Sequence, residues 1–222
     1  MIRALIFDFD GLILDTEGPI YQSWQELFQE HDCVLPFETW AKIIGVPAGT
    51  LDPFTFLEEQ LGHAVDRAAL APKRRAREDE LNARQSLLPG VEAYIAEAER
   101  LELGLGVASS SSCKWVTGHL ARLGLLSHFD CVRGSDDVER AKPDPDLYLS
   151  VLECLNVDAY QAIALEDSPN GILAAKRAGL FCVAVPNQIT RELPLDHADL
   201  YLNSLADLPL EELLRKAEAS SV

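Results

Sequence analysis

The chain has 222 residues, 48% of them hydrophobic and 25% charged, enough to bury a real core in one large domain or two small ones. Its 19 Lys plus Arg stand against 36 Asp plus Glu, and the net charge of −17 disfavours nucleic acid or anionic membrane as a partner. No apolar stretch approaches the roughly 18 residues of a membrane span, and Met1 to Phe7 reaches Asp8 too soon for a secretory signal, so a cytoplasmic protein is expected.

Ala4 to Phe7 is apolar at every position, which suits a parallel strand covered on both faces. The next convincing buried strand is Leu103 to Ala108, and the segment between them differs in texture. Tyr21, Trp24, Leu27 and Phe28 recur at helical spacing, and stretches around Thr39 to Ile44, Phe54 to Leu61 and Ala68 to Ala83 repeat the pattern between Gly and Pro breaks. Residues 16–87 therefore read as an inserted helical cap, with residues 1–15 and 88–222 forming the core. Pro89 opens a helix running to about Leu103, with Gly104 just beyond its end.

From there the chain alternates. Helix Lys114 to Leu123 closes at Gly124, a short strand lies near Phe129 to Val132, and Asp144-Pro145 caps a helix to Leu155. Ala162 to Leu165 is a strand, Ser168-Pro169 caps a helix ending at Gly179, and Phe181 to Val185 and Asp199 to Leu202 are the last strands. Repeated βα units predict an α/β fold, a doubly wound parallel sheet with helices on both faces. Five cysteines, odd in number and without a Cys-x-x-Cys pair, read as reduced and mostly buried. The five histidines show no metal spacing.

Asp8 and Asp10 end the first strand and Gly11 follows at once, which places two carboxylates at the crevice where open α/β sheets bind ligands. Alone, Asp-x-Asp is usually a solvated strand end. Three later sites change that reading: the hydroxyls of Ser109 to Ser112 and the carboxylates Glu166 and Asp167, each just after an apolar run, and the cation Lys142. Ser109 and Ser110 offer hydroxyls and free backbone N–H groups as an anion cradle between strand and helix, with Ser109 the phosphate contact. Lys142 could reach both the nucleophile and the phosphoryl oxygens as a compact charge. Asp8 and Asp167 can supply the one or two carboxylates that Mg²⁺ prefers, with Glu166 and the Asp10 carbonyl as further ligands. A phosphorylated substrate would be repelled by the overall charge, so local cations must reverse the field.

These residues in this order resemble the haloacid dehalogenase superfamily, in its capped phosphatase and phosphomutase branch. Asp8-Phe-Asp-Gly11 matches the first motif, Ser109 the second, Lys142 the third and Leu165-Glu-Asp-Ser-Pro-Asn-Gly171 the fourth. The resemblance implies a Rossmann-like core with an α-helical cap. It implies Asp8 as the nucleophile forming an aspartyl phosphate, and Asp10 as the acid that protonates the leaving oxygen and then activates water. Ser109 and Lys142 would hold the phosphoryl group, with Asp8, Asp10, Glu166 and Asp167 gathering Mg²⁺. Asp10 is expected to have its pKa raised toward neutrality by Asp8.

Hydrolysis of a small phosphorylated metabolite is the expected activity, and a monomer is the default state. The sugar phosphomutases of the branch carry a histidine soon after the first motif and an arginine in the cap loop. Here residues 17–30 contain no histidine, and no Lys or Arg lies between Lys42 and Arg67, although an Ile44-Gly45-Val46 loop remains. A phosphoacceptor signalling domain would use similar groups in a different order and without a cap. Dehalogenases of the superfamily need no magnesium, which sets Glu166 and Asp167 against them. The run Lys73, Arg74, Arg75, Arg77, with i,i+4 partners Glu78 and Asp79, reads as a solvated helix face, and Tyr21, Trp24 and Phe28 as cap core.

Overall fold

The computed structural model describes residues 1–44 and 51–220, so Gly45 and Val46 of the cap loop lie outside the described residues. Strand β1 (Ala4–Phe7) is buried at all four positions. It lies inside a six-stranded, wholly parallel sheet with β2 (Gly104–Ala108), β3 (Cys131–Arg133), β4 (Ala162–Glu166), β5 (Phe181–Ala184) and β6 (Leu200–Tyr201). The order is β3-β2-β1-β4-β5-β6. The chain builds outward from β1 through β2 and β3, then returns to its other side, so the direction of winding reverses at β1. A crevice opens at such a point, outside the carboxyl ends of the strands.

Side chains alternate across the sheet, and the two faces are built differently. Leu5, Phe7, Leu105, Val107, Ile163 and Leu165 pack under α5 (Val91–Arg100), α6 (Cys113–Arg122) and α9 (Leu210–Ala219). The opposite face carries mainly small residues, Ala4, Ala162, Ala164, Cys182 and Ala184, under α7 (Asp146–Leu155) and α8 (Pro169–Arg177). Small residues there let the helices approach closely: a Cβ on Gly106 of β2 would stand 2.5 Å from Val151 Cγ1 of α7.

One expectation fails on this face. Cys131 of β3 and Cys154 of α7 form a disulfide, with Cα atoms 6.2 Å apart, while Cys33, Cys113 and Cys182 stay free. A separation of 23 residues carries no motif, and the pair is brought together only by α7 docking on β3.

The chain divides into two compact units, residues 1–14 with 86–222, and residues 15–85. The second unit contains α1 (Glu17–Glu30), α2 (Phe37–Ile44), α3 (Pro53–Leu61) and α4 (Arg67–Ala83). Its core is aromatic: Tyr21 stacks on Trp40 and meets Phe37 edge-on, and Trp24 meets Phe54. Of the α4 cations, Lys73 and Arg75 are exposed as expected, while two others turn inward: Arg74 lies over the Trp24 ring, bonds Ser23 and pairs with Glu78, and Arg77 reaches Glu26 at 2.7 Å, so these two tie α4 to α1. Among the described residues no helix is long and apolar enough to cross a membrane.

Candidate active site

Asp8 follows β1 directly and its backbone N–H donates to the Leu165 carbonyl, so the ladder between β1 and β4 fixes where its side chain begins. Glu166 ends β4, and Asp167 is the next residue. The three carboxylates are buried and each offers one oxygen within 4.8 Å of the others, a group able to hold a metal ion. Lys142 joins them: its Nζ donates to Asp8 Oδ1 at 2.8 Å and to Glu166 Oε1 at 2.5 Å. Burial pushes the Asp8 carboxyl up to about 7, Glu166 adds to the rise, and Lys142 opposes it. Burial pulls the other way on Lys142, but Asp8 and Glu166 outweigh it and hold the ammonium above its ordinary value. The carboxyl carried toward neutrality is that of Asp8.

The four serines separate by function. Ser109 is fully buried, and its hydroxyl donates to Asp10 Oδ2 at 3.1 Å while accepting from the Ser111 N–H at 3.0 Å. Ser111 donates to the same oxygen at 2.7 Å. Ser112 caps α6 by accepting from the Trp115 N–H, and Ser110 is exposed. Asp10 therefore turns its carboxylate toward β2 and α6, and the acidic cluster consists of Asp8, Glu166 and Asp167 without the Asp10 side chain.

Four further residues serve this site that sequence reasoning did not single out. Tyr148 of α7 donates to Glu166 Oε1 at 2.6 Å, and the Lys142 ammonium lies 5.2 Å from its ring centroid. Burial and Glu166 push this phenol well above its ordinary value, so it stays a donor. Asn187, in the loop after β5, donates to Asp167 Oδ2 at 2.8 Å, and Thr190 approaches the same oxygen at 3.4 Å. Trp115 of α6 donates from Nε1 to Asp10 Oδ1 at 3.1 Å. A buried hydroxyl in the apolar stripe of α7, and polar residues just past the end of a central strand, were the available signals. Gly11 makes the turn possible: at φ +80° it lets the backbone pass where a Cβ would lie 2.4 Å from Asp167 Oδ2.

Residues 5–185 match the haloacid dehalogenase-like hydrolase family. The chain belongs to that family. Within it, YhcW of Bacillus subtilis (strain 168), whose name proposes a phosphatase, is 48% identical over 96% of this chain and 97% of its own. The validoxylamine A 7'-phosphate phosphatase of Streptomyces hygroscopicus subsp. limoneus is 31% identical, over 94% of this chain and 96% of its own. Among solved structures, CbbY from Rhodobacter sphaeroides in complex with phosphate superposes with a TM-score of 0.72 at 32% identity, covering 94% of this chain and 96% of that one. The haloacid dehalogenase-like assignment thus spans Asp8, Ser109, Lys142 and Glu166, and the sheet order agrees with it.

Proposed function

We propose that this haloacid dehalogenase-like hydrolase is a magnesium-dependent phosphatase of small phosphorylated metabolites, acting as a cytoplasmic monomer through an aspartyl phosphate on Asp8. The observation that carries the reading is the Asp8 carboxylate, set at the end of β1 against Lys142 and grouped with Glu166 and Asp167. The relatives named for phosphatase activity and the phosphate bound to CbbY support it.

In the first step an Asp8 oxygen attacks phosphorus, and the bond from phosphorus to the ester oxygen breaks. The bonding pair leaves on that oxygen, which takes a proton from Asp10. In the second step water attacks the phosphorus of the aspartyl phosphate and gives its proton to Asp10, releasing inorganic phosphate and restoring Asp8. Lys142 holds Asp8 in line and faces the phosphoryl oxygens, so positioning and charge stabilisation come from one residue. Ser109 is shared: its hydroxyl serves Asp10 in this structure and can rotate to a phosphoryl oxygen, as hydroxyls do.

The donor set fits a hard cation. Three buried carboxylates lie together, two of them paired with one ammonium, and every ligand atom is oxygen, the chemistry that Mg²⁺ selects. Asp8 and Asp167, with the Asp10 carbonyl and Glu166, would hold the ion, which supplies charge neutralisation for a buried nucleophile and an anionic substrate. Hydrolysis is favoured over mutase chemistry because the histidine and cap-loop arginine of the mutases have no counterparts in the sequence. Assaying sugar phosphates, phosphoglycolate-like acids and nucleoside monophosphates with Mg²⁺ tests the proposal. It expects turnover of at least one ester, abolished by a chelator and by Asp8→Asn; chelator-insensitive turnover, or an Asp8→Asn variant at the wild-type rate, contradicts it.

A further inference from the structure

Resting on the phosphatase reading above, we infer that Trp115 is a positioning residue for the proton transfer made by Asp10. The two Asp10 oxygens are held by different kinds of donor. Oδ2 accepts from the hydroxyls of Ser109 at 3.1 Å and Ser111 at 2.7 Å, and Oδ1 accepts from the Trp115 indole N–H at 3.1 Å. A hydroxyl can rotate, donate or accept, whereas an indole N–H can only donate and points where its ring points. The partly buried Trp115 has neighbours that limit its motion: its own backbone N–H is bonded to the Ser112 cap, and its ring meets the His119 imidazole edge-on at 4.3 Å between centroids, with His119 in turn against Phe9.

Two consequences follow for the proton. The direction from Oδ1 toward Trp115 is always occupied by a donor, so the transferable proton of Asp10 cannot sit there. The serines, in contrast, can yield: when Ser109 turns to a phosphoryl oxygen, Oδ2 loses a donor while Oδ1 keeps its own. Trp115 thus keeps the carboxyl plane oriented through the change. The indole N–H is bonded to an Asp10 oxygen, so its action passes through Asp10.

Leaving-group dependence separates this role from a structural one. An alkyl phosphate needs its departing oxygen protonated, whereas p-nitrophenyl phosphate expels a stable anion that does not. Trp115→Phe keeps the ring and removes the donor. With Mg²⁺ present, we expect its kcat/KM to fall about tenfold or more on an alkyl phosphate, the worth of one hydrogen bond to a charged group, and to change less than about twofold on p-nitrophenyl phosphate. Asp10→Asn should show the same selectivity more strongly. Equal losses on both esters, or no loss on either, overturn the role of Trp115 while Asp10→Asn still discriminates. An Asp10→Asn variant that does not discriminate between the esters overturns the underlying reading of the site instead. If Trp115→Phe folds poorly by circular dichroism, Trp115→Leu, which also lacks a donor, serves in the same ratio, because a common loss of active protein cancels between the two esters.

Discussion

Asp8 faces opposed demands in the proposed mechanism, since a buried carboxylate next to Glu166 costs free energy when ionised, yet only the ionised form would attack phosphorus. The folded protein holds its proton up to about pH 7, against an ordinary value of 3.8. For a carboxyl whose folded pKa is raised, the contribution to stability is complete below the unfolded value and is lost as pH climbs through the folded one. In metal-free protein that loss falls between 3.8 and about 7. A divalent cation must displace the same proton. Magnesium binding at about pH 6 should therefore release close to one proton, and at about pH 8.5 close to none, with affinity rising in between. Calorimetric titration in buffers of different ionisation heat counts these protons, and a count that stays at zero across the range would refute the assignment of Asp8 as ligand.

At the scale of elements, the first turn of α8 is shaped around Glu166. Ser168 caps the helix, Pro169 starts it, and Gly171 brings bare backbone against the carboxylate, so a Cβ there would lie 1.9 Å from Oε2. Alanine in place of glycine ordinarily favours a helix by about 1 kcal/mol, but overpacking a buried site costs about 1–3 kcal/mol. Glu166 cannot step aside, because Lys142 and Tyr148 hold its other oxygen. Gly171→Ala should thus lower unfolding stability by about 1–2 kcal/mol and reduce kcat/KM by moving Lys142, with urea unfolding and steady-state kinetics as the readouts. A variant more stable than wild type and fully active would contradict this packing. Elements of this kind were legible beforehand: apolar runs and Gly or Pro punctuation locate every strand, and Ser168-Pro169 marks the start of α8. What lay hidden depends on register between elements. Nothing local says that Tyr148 sits under Glu166, that Asn187 reaches back to Asp167, that Cys154 meets Cys131, or that Arg74 covers Trp24 instead of meeting solvent.

Across the whole molecule, the sheet order explains why distant residues meet. Reversal of winding at β1 puts the carboxyl ends of β1, β2 and β4 side by side, so Asp8, Ser109 and Glu166 converge although they come from separate stretches of chain. The motif order was readable because each of these residues ends an apolar run. The hydrogen-bond assignments within the serine run were not, since four identical residues look alike until α6 orients them. With a net charge of −17, the molecule repels an anionic ester at a distance, and in the proposed reading Lys142 with a divalent cation overcomes that field locally. The claim on which the account turns is that phosphorus becomes covalently attached to Asp8. Mixing Asp10→Asn protein with magnesium and an aryl phosphate, quenching in acid and sequencing the labelled peptide by mass spectrometry tests it directly. One phosphoryl group on Asp8, absent from Asp8→Asn, is the predicted result; a phosphoryl group on any other residue would contradict it.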